Sequence, residues 1–179
     1  MLQKSSIEKT AELFFLHPSK PHYLMDISRK TNIAHTSIKN NLDLLVKPGL
    51  ILKSTEKKGK RAFPIYRANT GSKPFKTQKM LYNLSSLLES NLIELLEEKL
   101  MPKSIVLFGS YQRGEDTESS DIDLFVECKE KELNLNDFEK KLKRRIQLHF
   151  KERFSAYPEE LKNNIINGFV LSGFLEGYT

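Results

Sequence analysis

SIVLFGSYQRGEDTESSDIDLFVE, residues Ser104 to Glu127, decides the reading of this chain. Its two ends, Ser104 to Phe108 and Ile122 to Val126, are short β-branched and apolar runs of strand length, and the polar segment between them has room only for a turn and a short helix. Two adjacent strands should therefore frame one site. Side chains alternate along a strand, so Ile122, Leu124 and Val126 share one face and Asp121 and Asp123 the other, which sets two carboxylates together at a strand end. Gly109 permits close approach of the backbone to a ligand, and Ser110 is suited to cap the following helix, whose free N–H groups favour phosphate. Paired carboxylates for a hard cation and a helix start for phosphate read as a metal–nucleotide site.

At these residues the chain resembles the nucleotidyltransferase superfamily of DNA polymerase beta, especially its small "minimal" members. Gly109, Ser110, Gly114, Asp121, Ile122 and Asp123 fall on that pattern without insertion or deletion. The resemblance implies that Asp121 and Asp123 are catalytic and bind Mg2+ or Mn2+, and that Gly109 and Ser110 hold a nucleoside triphosphate. It also implies a third acid on a neighbouring strand, and here the chain departs from the pattern. After a helical segment from about Asn136 to Arg144, the run Arg145 to Phe150 reads as the next strand, and the third acid's position falls on Gln147. An amide carries no charge to offset the cation and cannot accept a proton, so metal affinity and general-base capacity should both fall. His149 shares a face with Gln147 and reads as a solvated strand histidine in preference to a ligand or base. Glu152 becomes a candidate only if the strand register shifts.

The second recognisable unit lies near the start. Residues Ile27 to Ile51, ISRKTNIAHTSIKNNLDLLVKPGLI, resemble the helix-turn-helix of winged-helix regulators of the MarR and ArsR type. Asn32 takes the left-handed turn position and Ile33 anchors the turn. A second helix is expected over His35 to Val46. Ile38, Leu42 and Leu45 mark its apolar side and leave His35, Thr36, Ser37, Lys39, Asn40 and Asn41 towards the other. These residue types reach bases and phosphates in a major groove. Strands over Leu50 to Thr55 and Ala62 to Arg67 should flank a basic turn from Glu56 to Arg61, forming a wing whose Lys57, Lys58, Lys60 and Arg61 touch the DNA backbone. Lysine-rich turns are often merely solvated. Helix, helix and wing in succession nevertheless favour double-stranded DNA as a partner over a purely structural or protein-binding role.

Charge is divided in the same sense. Residues 1 to 80 hold 16 Lys and Arg against 5 Asp and Glu (+11), and residues 81 to 179 hold 13 against 18 (−5). A basic front half suits a module that displaces counterions from a polyanion, while a metal-binding half needs acids. The single cysteine, Cys128, excludes a disulfide within the chain. No run of about 18 apolar residues occurs and Met1-Leu2-Gln3-Lys4 is not followed by a secretory h-region, so no membrane partner and a cytoplasmic location are expected.

Asn69 to Pro74 reads as a break, followed by a long helical pattern from about Phe75 to Lys99 that would span roughly 37 Å. Its leucine-rich stripe would pack on its own domains or serve as a homodimer seam, and the dimer is slightly favoured. Pro158 to Ile166 reads as a helix, and Phe169 to Leu175 as a last strand or buried segment. The expected fold is thus α+β. A winged helix-turn-helix domain (1–70), a long connector helix (71–101) and an α/β nucleotidyltransferase fold with a small mixed sheet (102–179) follow one another. The leading function is a DNA-associated nucleotidyltransferase-family protein that, if active, transfers a nucleoside monophosphate from Mg-NTP to a hydroxyl. One alternative is a transcription regulator whose degenerate domain senses a nucleotide without catalysis. Another is an antitoxin-like minimal nucleotidyltransferase.

Overall fold

A computed structural model describes residues 4–154 and 158–176. The chain divides into two compact units between Tyr82 and Asn83. The first begins with helix α1, Ser6–Leu16, fixed at its start by a reciprocal pair: the Glu8 N–H donates to Ser5 Oγ and the Ser5 N–H to Glu8 Oε2, at 3.4 and 2.7 Å. The Ser5 hydroxyl, which also donates to Glu8 Oε2 at 2.8 Å, and then the Ser5 N–H hold the exposed Glu8 carboxyl below its usual range. Next come strand β1 (His22–Tyr23), helix α2 (Leu24–Thr31) and helix α3 (His35–Val46). Asn32 closes α2 in the left-handed conformation at φ 54°, as its position in the turn requires. Strands β2 (Ile51–Lys58) and β3 (Arg61–Ala68) then form an antiparallel hairpin, and the sheet order is β1-β3-β2. Phe14, Ile27, Ile38 and Leu42 are wholly excluded from water at the centre of this unit.

Two sequence expectations change here. The wing strands are longer than expected, with Lys57 paired to Ala62 and Lys58 to Arg61, so the connection is only Gly59-Lys60. A two-residue turn with glycine at φ 63° lets the ladder continue to the tip. Asn41 is not on the open face of α3. It is buried, donates to Thr10 Oγ1 at 3.0 Å and accepts from Ser6 Oγ at 3.5 Å, so it clamps α3 to α1.

The long connector is also interrupted. It consists of α4 (Lys73–Leu88) and α5 (Leu92–Leu100), separated by a sharp turn at Asn91, φ 67°. Ser90 Oγ donates to the Leu87 carbonyl at 2.6 Å and accepts from the Leu92 N–H at 3.1 Å, so its side chain replaces the backbone bonds that a continuous helix would make. Lys141 Nζ takes the Glu89 and Ser90 carbonyls at 3.1 and 3.0 Å. Leu87, Leu92 and Leu96 from both sides of the break enter one core, while Leu81 and Leu88 stay exposed.

The second unit carries a mixed four-stranded sheet, order β6-β5-β4-β7, made of β4 (Ser104–Phe108), β5 (Ile122–Glu127), β6 (Ile146–Lys151) and β7 (Phe169–Gly173). Only β5 and β6 run parallel, joined through helix α7 (Asn136–Leu142). Every residue of β4 is buried. Ile105, Leu107, Ile122 and Leu124 face the core shared with α4 and α5, and Val106, Phe108 and Phe125 face a second core with Phe154 and Ile165 of α8 (Glu159–Ile166).

A buried polar cluster ties this unit together. Arg144 Nε and Nη2 reach Asp116 Oδ2 at 3.3 and 3.1 Å, and Asn83 Nδ2 reaches Asp116 Oδ1 at 2.7 Å and the Tyr111 carbonyl at 2.8 Å. Deleting one member of a sealed pair strands the other's charge. Arg144→Met should therefore lower the stability of the second unit by about 3–5 kcal/mol, and Asn83→Ala by about 1–3 kcal/mol, in urea unfolding of the full chain. A loss below about 1 kcal/mol for Arg144→Met would show that water reaches Asp116.

Candidate active site

β4 ends at Phe108 in extended backbone, and helix α6 (Gly109–Arg113) follows at once. Ser110 therefore does not cap it as expected. Phe108 occupies the cap position without a side-chain bond, and Ser110 lies inside the first turn. The reason is Gly109, whose φ of +80° makes the reversal that a capping residue would otherwise make. Gly114 ends the helix at φ 68°, with its N–H shared by the Ser110 and Tyr111 carbonyls.

β5 lies beside β4 with Asp123 paired to Phe108, which brings the Asp123 carboxylate over Gly109. A Cβ at position 109 would stand 2.5 Å from Asp123 Oδ2. The loop and the carboxylate can coexist only because residue 109 has no side chain. Asp121, half-buried and just ahead of β5, lines an open cleft of about 300 Å³ with Arg145, Ile146 and Gln147. The Ile122 N–H donates to the Arg145 carbonyl at 2.8 Å, fixing the cleft floor.

The register of β6 pairs Gln147 with Asp123 across the strands. His149 is different from the expected solvated residue. Its Nε2 lies 3.1 Å from Asp123 Oδ1 and its ring packs, tilted, on Phe108 at 5.1 Å between centroids. Glu152 follows β6 and is exposed. Among the described residues no three His, Cys, Asp or Glu side chains converge as a closed metal cage. A cation here would need oxygens from substrate and water beside the carboxylates, the mode in which Mg2+ commonly binds with nucleotides. Burial pushes the Cys128 thiol up, which lowers its thiolate fraction, and Sγ donates to the Lys129 carbonyl at 3.3 Å.

In the first unit, His35, Thr36, Lys39 and Asn40 are exposed on α3 and Ser37 is half-buried. Lys57, Lys60 and Arg61 are exposed around the hairpin tip, and Lys58 is the last residue of β2.

Residues 89–172 match the family model for the nucleotidyltransferase domain. Two proteins of Methanocaldococcus jannaschii, provisionally named protein adenylyltransferases, are 60% identical over 37 residues and 52% identical over 46. The aligned segments are 21% and 26% of this chain and 37% and 47% of those proteins, so the chain spans at most about half the length of the curated relatives it matches. A solved structure described as a possible transcriptional regulator from Methanosarcina mazei Go1 aligns with 54% of this chain and 80% of its own, at 14% identity and a TM-score of 0.38. No described helix is long and apolar enough to cross a membrane.

Gly109→Ala tests the close approach. It should cost at least about 1–2 kcal/mol from the left-handed backbone, and it should shift the His149 ring resonances as Asp123 is displaced. Gly59→Ala, at φ +63° with open space around the added methyl, should cost stability and leave those resonances unmoved.

Proposed function

We propose that the second unit transfers a nucleoside monophosphate from a nucleoside triphosphate to a hydroxyl, and that the first unit is a winged helix-turn-helix that binds duplex DNA. The observation that carries the transferase reading is Asp123 lying against the side-chain-free Gly109 turn, with Asp121 opening the cleft on its other side. The Gly109-Ser110 backbone would cradle the phosphates, and Asp121 and Asp123 would hold Mg2+ or Mn2+. Bound there, the cation would offset phosphate charge as it develops on the leaving group. The acceptor hydroxyl oxygen would bond to the α-phosphorus and release its proton to solvent, the bond from that phosphorus to the bridging oxygen would break, and pyrophosphate would leave. The M. jannaschii names favour ATP as donor and a protein hydroxyl as acceptor.

Gln147 supports a second reading, a regulator that senses a nucleotide without turnover. Standing beside Asp123, it supplies neither charge nor a proton acceptor. Incubation of the full chain with labelled ATP and Mg2+ separates the two. The transferase reading expects pyrophosphate release, abolished in Asp121→Ala and raised in Gln147→Asp. Nucleotide affinity should require a divalent ion. Asp123→Asn should weaken it by more than the roughly 10- to 100-fold lost when a residue merely supporting a metal ligand is changed. Equal ATP binding with and without chelator would reject the site.

The DNA reading is supported by the exposed polar residues at the start of α3 and by the charged hairpin tip. Neutralising Lys57, Lys58, Lys60 or Arg61 should flatten the slope of log affinity against log salt by roughly 0.9 for each phosphate that the side chain had engaged. Changing His35, Thr36, Ser37, Lys39 or Asn40 should instead cost about 1–3 kcal/mol at particular base pairs. Selection from random duplexes at several salt concentrations measures both, and no enrichment with an unchanged slope would leave this unit as a protein-interaction module.

A further inference from the structure

The strand position beside Asp123 holds an amide, yet the next residue on the same face of β6 already touches the carboxylate. His149 Nε2 and Asp123 Oδ1 are 3.1 Å apart, with both side chains partly open to solvent. The imidazole ring packs on buried Phe108, tilted by 58° at 5.1 Å between centroids, which holds it on the Asp123 side of the sheet. Two ligands in adjacent positions of one octahedral ion, each at about 2.1 Å, stand about 3.0 Å from one another. The observed pair has that spacing, and Gln147 beside it contributes no competing anion.

Building on the metal–nucleotide reading, we propose that His149 Nε2 ligates the nucleotide-bound divalent cation together with Asp123, so that an imidazole takes over where the family's third carboxylate is missing. In the ion-free arrangement Nε2 is hydrogen-bonded to Asp123 Oδ1. With an ion between them the same nitrogen would present its lone pair to the metal and the ring proton would sit on Nδ1. The consequence is selectivity. Mg2+ is an ion of oxygen donors, whereas imidazole favours the later first-row ions. The site should therefore prefer Co2+ to Mg2+ through His149, beyond any preference of the nucleotide itself.

The test uses the full chain with a non-hydrolysable ATP analogue, and its readout is binding and spectroscopy. Electron-spin-echo modulation of bound Mn2+ should show a coordinated imidazole nitrogen in wild type. It should be absent from His149→Ala and from His149→Gln, the latter retaining an N–H for Asp123 but no ring nitrogen. Co2+ affinity should fall at least roughly tenfold in both variants, with a smaller change for Mg2+, and His149→Asp should move the preference towards Mg2+. Bound Mn2+ without nitrogen modulation, or His149→Gln retaining wild-type Co2+ affinity, would overturn the proposal and leave His149 as a hydrogen-bonding support of Asp123. If wild type binds no Mn2+ with the analogue, the metal–nucleotide reading itself fails and takes this proposal with it.

Discussion

Asp116 and Arg144 are sealed from solvent, and a charge in that position must be answered on every side or it will unfold what surrounds it. The answer is geometric. Asp116 sits in the loop after α6, Arg144 between α7 and β6, and Asn83 on α4, so one carboxylate fixes three segments that are remote in sequence. Asn83 also holds the Tyr111 carbonyl, and the Tyr111 hydroxyl returns to the Asn83 carbonyl at 3.4 Å. The segment from Gly109 to Asp116 is therefore anchored just past its glycine turn. The start of β6, and with it the register that sets Gln147 beside Asp123 and His149 against it, depends on the same anchor.

The parts of this fold that were legible in sequence are those encoded by local pattern. The apolar runs around Gly109 and Asp121-x-Asp123 became β4 and β5, and His35–Val46 became α3 with its expected ends. What escaped was decided by partners far along the chain. Asn41 looks like any polar residue at helical spacing until Thr10 and Ser6 are brought to it. His149 alternates correctly for a solvated strand residue, and only the fold sets the Phe108 ring against it and the Asp123 oxygen beside it, leaving it partly open to solvent. Asp116 and Arg144 carried no sequence signal of being buried. Two further features do carry a local signal. Ser5-x-x-Glu8 is a capping-box pattern that marks the start of α1, and Ser90-Asn91 within a leucine-rich stripe offers the side-chain hydrogen bonding and left-handed tolerance on which the helix breaks.

The break between α4 and α5 changes what the leucine stripe is for. A straight helix would present its apolar side along one line, available to a second chain. Turned at Asn91, it delivers Leu84 and Leu87 from one side and Leu92, Leu95 and Leu96 from the other into the core of the second unit. The stripe is then largely consumed within the chain, which bears directly on a seam expected from periodicity alone.

The hairpin carries one more implication. β1 covers β3 only at Ile65 and Tyr66, so the distal part of β2 and β3 is a two-stranded ribbon with bare flanks. Such a ribbon would ordinarily invite a neighbouring molecule to add a strand. Here Pro64 removes a donor from one rail, and the cations Lys57, Lys60 and Arg61 crowd the end, so a strand from a like-charged copy meets both a missing bond and repulsion. The charges read as a grip on a polyanion thus also guard against fibrous self-assembly, and a chain stripped of them would forfeit colloidal stability along with affinity.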